Sequence, residues 1–236
     1  TGENTFIGNG TDVCLPRAVD NPVRWVYTPN PDCYLLKSDS LIVRVDLSTA
    51  SITYLDKEGG LLLQEDQNIP RISEKRVTKQ VIYDEHSKHI EKTADGDKEI
   101  KNVLRYDTIG HTWKYRINFK WQPLEALYGW GSHMEDYMNL RGKELYLCQH
   151  NLKAMVPVLN STAGYGLLFD AGCAMMFKDN SEGSFVELEA AKQIDYYFMK
   201  GKTMDAVVAN YRMLTGNSPM MPLYLFGYIQ SKERYV

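Results

Sequence analysis

Thr112-Trp113-Lys114-Tyr115-Arg116-Ile117-Asn118-Phe119-Lys120-Trp121 decides the fold class. Successive side chains of a strand point to opposite faces, so Trp113, Tyr115, Ile117, Phe119 and Trp121 share one side and Lys114, Arg116, Asn118 and Lys120 the other. A strand with one apolar and one wet face belongs on the outside of an antiparallel sandwich. Upstream, Val77, Gln80-Val81-Ile82-Tyr83 and Ile90 alternate in the same way. The charged stretch from Asp84 to Lys101 between them reads as a solvated hairpin or loop. Leu41 to Leu47 and Ser51 to Leu55 are further β-rich runs, and Asp56-Lys57-Glu58-Gly59-Gly60 turns the chain into Leu61-Leu62-Leu63, which makes an antiparallel meander.

Downstream, strands are expected at Ala154 to Leu159, Tyr165 to Phe169, Ala174 to Lys178, Phe185 to Leu188 and Ile194 to Met199. One segment reads as a helix. Thr203 caps it, Asp205 sits in its first turn, Met204, Val207, Val208 and Tyr211 recur at helical spacing, and Gly216, Pro219 and Pro222 stop it. Leu223-Tyr224-Leu225-Phe226-Gly227-Tyr228-Ile229 then has the continuous apolar character of a strand covered on both sides, as in a parallel sheet or barrel. The expected division is an irregular lead-in or edge strands over 1–33, a β-sandwich over 34–202, a helical connection over 203–222, and over 223–236 a strand of a parallel sheet or barrel that continues beyond this chain.

The 236 residues carry 27 basic and 30 acidic side chains, mixed along the chain, for a formal charge of -3. That mixture offers no broad basic face, so neither nucleic acid nor membrane is an expected partner. No run approaches the roughly 18 apolar residues of a membrane helix. Cys14, Cys33, Cys148 and Cys173 form no C-x-x-C pair; they read as small buried hydrophobes, with a Cys14 to Cys33 link left open. His86 and His89 lack a third ligand nearby, so no metal and no cofactor is expected.

Four short motifs carry a family resemblance: Tyr128-Gly129-Trp130-Gly131, Asn139-Leu140-Arg141-Gly142, Gly164-Tyr165-Gly166-Leu167-Leu168-Phe169-Asp170 and Gly227-Tyr228-Ile229-Gln230-Ser231-Lys232-Glu233-Arg234-Tyr235. In order and spacing, over roughly residues 120 to 236, the chain resembles glycoside hydrolase family 31, in its α-xylosidase and α-glucosidase branch. The resemblance implies a galactose-mutarotase-like β-sandwich, a short helical connection and a (β/α)8 barrel opening at Leu223. It implies a retaining α-glycosidase whose two catalytic Asp residues lie in the barrel, about 5–5.5 Å apart across the glycosidic bond. No catalytic residue is assigned to this chain. The implied partners are an oligosaccharide or glycoside substrate and the barrel of the same polypeptide. Oligomeric state is not readable, and a bacterial periplasmic or secreted location is favoured over the cytoplasm.

Substrate-side candidates follow from the resemblance. Glu233, Arg234 and Tyr235 would stand at the barrel rim, where strand ends feed the active site. The stretch from Asp170 to Asp179 matches a loop that reaches the barrel mouth. Within it, Met176 stands where broader family members place a sugar-binding Asp, so it either lines a subsite or fills core. Asp170 either serves the pocket or bonds its own backbone in a turn. Trp130 either stacks on a sugar or is buried between sheets. Arg141 and Lys143 read as a solvated hairpin tip. Two other readings are carried: a stand-alone carbohydrate-binding module, and a mutarotase or epimerase using His133 with Glu135, or His111 or His150.

Overall fold

The computed structural model describes residues 13–14, 24–94, 96–151 and 153–229. Among the described residues sixteen strands follow one another: β1 (Val26–Pro29), β2 (Cys33–Lys37), β3 (Leu41–Asp46), β4 (Ile52–Asp56), β5 (Leu61–Glu65), β6 (Arg71–Tyr83), β7 (His89–Thr93), β8 (Gly96–Ile100), β9 (Val103–Lys120), β10 (Leu127–Gly129), β11 (Glu144–Leu147), β12 (Val158–Ser161), β13 (Tyr165–Phe169), β14 (Met175–Asn180), β15 (Gly183–Ala191) and β16 (Tyr196–Lys200). One α-helix, α1 (Met204–Thr215), comes after them. A ten-stranded sheet runs β1-β2-β3-β4-β5-β9-β15-β14-β11 with β6 also on β9, and a four-stranded sheet runs β10-β12-β13-β16. Every pairing is antiparallel, so the all-β sandwich expected from the alternation is what forms.

The alternation in β9 does what its sequence dictates. Tyr115, Ile117, Phe119 and the following Trp121 are buried, while Lys114 and Arg116 stand on the outer face and both reach Glu187 of β15, at 2.7 and 2.9 Å. Aromatic contacts join the two sheets: Tyr54 stacks on Phe198 at 4.0 Å, and Phe119 meets Tyr196 edge-on at 6.3 Å. In the small sheet, Tyr165, Leu167 and Phe169 face this core, whereas Leu168 joins Val158, Met199 and Val207 beneath α1. Gly166 and Gly201 let that helix close on the sheet. A Cβ on Gly166 would lie 2.5 Å from Val207 Cγ1, and one on Gly201 would lie 2.6 Å from the Val207 nitrogen.

Three buried carboxylates, Glu65, Asp179 and Glu187, are paired with arginine or lysine, and a fourth, Glu125, accepts from the Gln122 amide and the Ser161 and Tyr165 hydroxyls. Glu65, wholly buried, accepts two bonds from Arg71 at 2.6 and 2.7 Å, one from the Ile52 amide at 2.9 Å and one from the Tyr196 hydroxyl at 2.8 Å. Burial, against the pull of Arg71, raises its carboxyl above the usual range. Asp179 accepts from Arg141 Nε at 2.9 Å, from the Gly142 amide at 2.7 Å and from the Ser184 hydroxyl. Arg141 Nη1 also donates to the carbonyls of Gln122 and Glu125. The expected solvated tip is therefore a strap that ties the 139–142 turn to β14.

Other expectations are corrected. The strand sought at Ala154 to Leu159 begins at Val158, because the Met155 amide is taken by Gln149 Oε1 at 2.9 Å and Ala154 bridges Ser132. Leu223 to Phe226 is a 3-10 turn, with the Leu225 amide on the Pro222 carbonyl at 2.9 Å, and its side chains are exposed. Without a neighbouring ladder a lone apolar segment satisfies its amides locally, which is the physical reason the expected strand is absent. No disulfide joins Cys14 to Cys33. Most of the expected lead-in lies outside the described residues, but Val26–Pro29 does form an edge strand, with Pro29 where an edge tolerates it.

Candidate functional site

The 128–131 motif, the 153–157 segment and the 170–174 turn meet at one end of the sandwich. Trp130 adopts a φ of 63° between Gly129 at 131° and Gly131 at 82°. These angles bring the backbone so close to its neighbour that a Cβ on Gly131 would stand 2.0 Å from the Ala154 carbonyl oxygen. The same turn drives the indole inward. Trp130 has no exposed surface and packs against Phe169 and Phe177 at 5.8 and 5.9 Å. Its candidacy as a sugar-stacking platform is therefore corrected: no face of the ring is open, and its place is between the sheets.

Asp170 follows the last buried residue of β13. Its amide donates to the Asp195 carbonyl at 3.0 Å, as the Phe169 amide does to the Pro157 carbonyl at 2.9 Å, which fixes the start of the turn. The expected bond from its side chain to its own turn is not made; Asp170 Oδ2 is buried with no hydrogen-bond partner among the described residues. Burial, and then the charge of Asp170, hold the Asp195 carboxyl above the usual range. The two carboxyls thus feel each other across the β13 and β16 ends.

A cleft of about 320 Å³ opens beside this turn, lined among others by Cys148, Gln149, Met155, Pro157, Cys173 and Met175. Gln149 also lines a second hollow of about 490 Å³ with Ser132, His150 and Lys153. The loop expected to run from Asp170 to Asp179 ends sooner, because β14 begins at Met175. Met176 is consequently on a strand. It sits opposite Tyr146 and Glu187 in the register, on the outer face with Arg116, away from the buried Met175 and Phe177. The structure does not bring Met176 to Asp170. Glu233, Arg234 and Tyr235 lie outside the described residues.

His133 and Glu135 do not assemble as the acid and base of a mutarotase. Glu135 pairs with Lys153 at 3.0 Å, while His133 Nδ1 is buried without a hydrogen-bond partner among the described residues and its ring lies 5.8 Å from Tyr137. Among the described residues no group of three His, Cys, Asp or Glu side chains is arranged to hold a metal ion. The buried carboxylates Glu65, Asp179 and Glu187 are each committed to arginine or lysine. What sequence reading missed is the Asp195 partner of Asp170 and the role of Arg141. The first needed the β13 to β16 register, which no local motif carries.

No protein-family model matches the chain. Among curated proteins it is 32% identical over 141 residues to an alpha-xylosidase of Saccharolobus solfataricus, covering 56% of this chain and 19% of that one. It is 30% identical over 129 residues to an uncharacterized family 31 glucosidase of Pseudescherichia vulneris, covering 53% of this chain and 24% of that one. Among solved structures, a GH31 alpha-xylosidase from Xanthomonas citri superposes with a TM-score of 0.68 at 16% identity, over 96% of this chain and 38% of that one. A GH31 dextranase of Flavobacterium johnsoniae complexed with isomaltotriose gives 0.65 at 21% identity, over 93% of this chain and 24% of that one. The chain thus spans about a fifth to a quarter of the curated relatives' length; by sequence these relatives point to glycoside hydrolase family 31, and solved members of that family share its fold.

Proposed function

We propose that this chain is the N-terminal, non-catalytic β-sandwich part of a retaining α-glycosidase of α-xylosidase or α-glucosidase type, acting on terminal α-linked sugars. The observation that carries the reading is the 32% identity to an alpha-xylosidase over 141 residues. The chemistry supports it. Retaining hydrolysis needs two accessible carboxyls about 5–5.5 Å apart with different protonation states. Here the buried carboxylates Glu65, Asp179 and Glu187 serve ion pairs, Glu125 is taken up by the Gln122 amide and the Ser161 and Tyr165 hydroxyls, and neither Asp170 nor Asp195 lines the two clefts described above.

In this reading residues 223–236 open the (β/α)8 barrel, with Glu233, Arg234 and Tyr235 at its sugar-facing rim. The 170–174 turn lies against the pocket, where the buried, unpartnered oxygen of Asp170 accepts a hydrogen bond from the barrel or the substrate. The substrate is an oligosaccharide or glycoside. The test is turnover of nitrophenyl α-xyloside and α-glucoside by this chain and by a polypeptide extended through the barrel. Hydrolysis by the extended form alone is expected; hydrolysis by residues 1–236 sinks the reading.

A further inference from the structure

The large sheet is wider than the small one, and its inner face continues past the edge of the sandwich. One row of cross-strand neighbours shows this directly: Leu63, Tyr54, Val43, Leu36 and Tyr27 stand side by side from β5 to β1. Leu63 is 1% exposed and Tyr54 8%, but Tyr27, on the same face, is 52% exposed. The adjoining row runs Ile52, Val45, Tyr34 and Pro29, and Tyr34 is 43% exposed. Trp25, two residues before Tyr27 and so on the same side of an extended chain, is 48% exposed. The Tyr27 and Tyr34 rings lie 5.6 Å apart at 57°.

Residues that face a core at one end of a row thus face solvent at the other, and they are aromatic there. The strip of Trp25, Tyr27, Pro29, Tyr34, Leu36 and Val45 contains no charged side chain. Neither phenol oxygen makes a hydrogen bond to the described residues, which leaves two hydroxyls beside the ring faces. Half-exposed, three such aromatics offer about 300 Å². That is well short of the roughly 800 Å² per partner that a stable protein interface buries. The area suits a small, neutral ligand with alternating apolar faces and hydroxyl rims.

We propose that this overhanging aromatic face is a glycan-binding surface, separate from the 170–174 turn, on which neutral pyranose rings stack against Tyr27, Tyr34 and Trp25. Only the choice of α-linked sugars as probes rests on the glycosidase reading; the stacking itself does not. The experiment is calorimetric titration of this chain, with tryptophan fluorescence in parallel, using isomaltotriose, maltoheptaose and a xyloglucan heptasaccharide. Saturable binding is expected for at least one of them, weakened about tenfold by Tyr27→Ala and by Tyr34→Ala. Tyr27→Leu keeps the apolar area and the fold but removes the ring, so it is expected to weaken binding as Tyr27→Ala does.

Four outcomes overturn the proposal: no saturable binding, native affinity in Tyr27→Leu, loss of binding in Asp170→Asn, or a change in sedimentation mass with Tyr27→Ala that marks the face as a contact between copies. Binding is read without catalysis. A failure here leaves turnover by an extended polypeptide untouched, and a failure of turnover leaves this binding untouched.

Discussion

Arg141 shows how much one side chain can decide. Its guanidinium joins Asp179 to the carbonyls of Gln122 and Glu125, so three otherwise separate segments share one cation. Replacing it by alanine leaves Asp179, 7% exposed, without its main counter-charge. Arg141→Ala is expected to cost about 2–3 kcal/mol in urea unfolding. The pH dependence has a definite sign. Burial opposes the Asp179 charge, but bonds from Ser184, Gly142 and Arg141 outweigh it and hold the folded carboxyl below its usual value. The stability it contributes is complete above the unfolded aspartate value of about 3.9 and is lost as pH falls through the folded one. Asp179→Asn should flatten that acid limb in a series of urea midpoints between pH 5 and pH 2, whereas an unchanged limb would assign acid sensitivity to other groups. Nothing local announces this role: Asn139-Leu140-Arg141-Gly142 reads as a solvated tip because its partner lies 38 residues away. Trp130 was legible in the opposite sense. Its flanking glycines already implied unusual backbone angles, and those angles turn the ring into the core.

At the scale of elements, a strict two-residue period gave the facing of a strand better than its bounds: β9, read over 112–121, begins at Val103. Tyr165–Phe169 forms as expected, and β9 presents the apolar face its alternation requires. The helix was equally legible, because its cap, its dipole residue and its stop are local chemistry. Thr203 Oγ1 accepts from the Ala206 amide at 3.2 Å and Gly216 ends it at a φ of 94°. Leu223 to Ile229 was not, because a continuously apolar run specifies burial without specifying what buries it. In this chain Leu223–Phe226 is an exposed 3-10 turn. Amides of residues 223–229 should therefore exchange within seconds in residues 1–236 and become protected by orders of magnitude in a polypeptide extended through the barrel. Equal exchange in both would remove the segment from any barrel.

For the whole molecule, the two sheets, their aromatic contacts and the helix beneath Gly166 and Gly201 make a sandwich whose buried charges are spent on structure. The surfaces we propose as functional are at its margins: the 170–174 turn, where Asp170 Oδ2 has no hydrogen-bond partner among the described residues, and the aromatic overhang of β1 and β2. The division of labour we propose assigns shaping to this chain and bond cleavage to the barrel that would follow. Retaining hydrolysis passes through a covalent glycosyl-enzyme, so the reacting carboxylate can be trapped and located. Peptide mapping of the extended polypeptide after treatment with a fluorinated glycosyl fluoride tests the claim most directly. The account predicts a single glycosylated aspartate beyond residue 236, and an adduct on any carboxylate within residues 1–236 would contradict it.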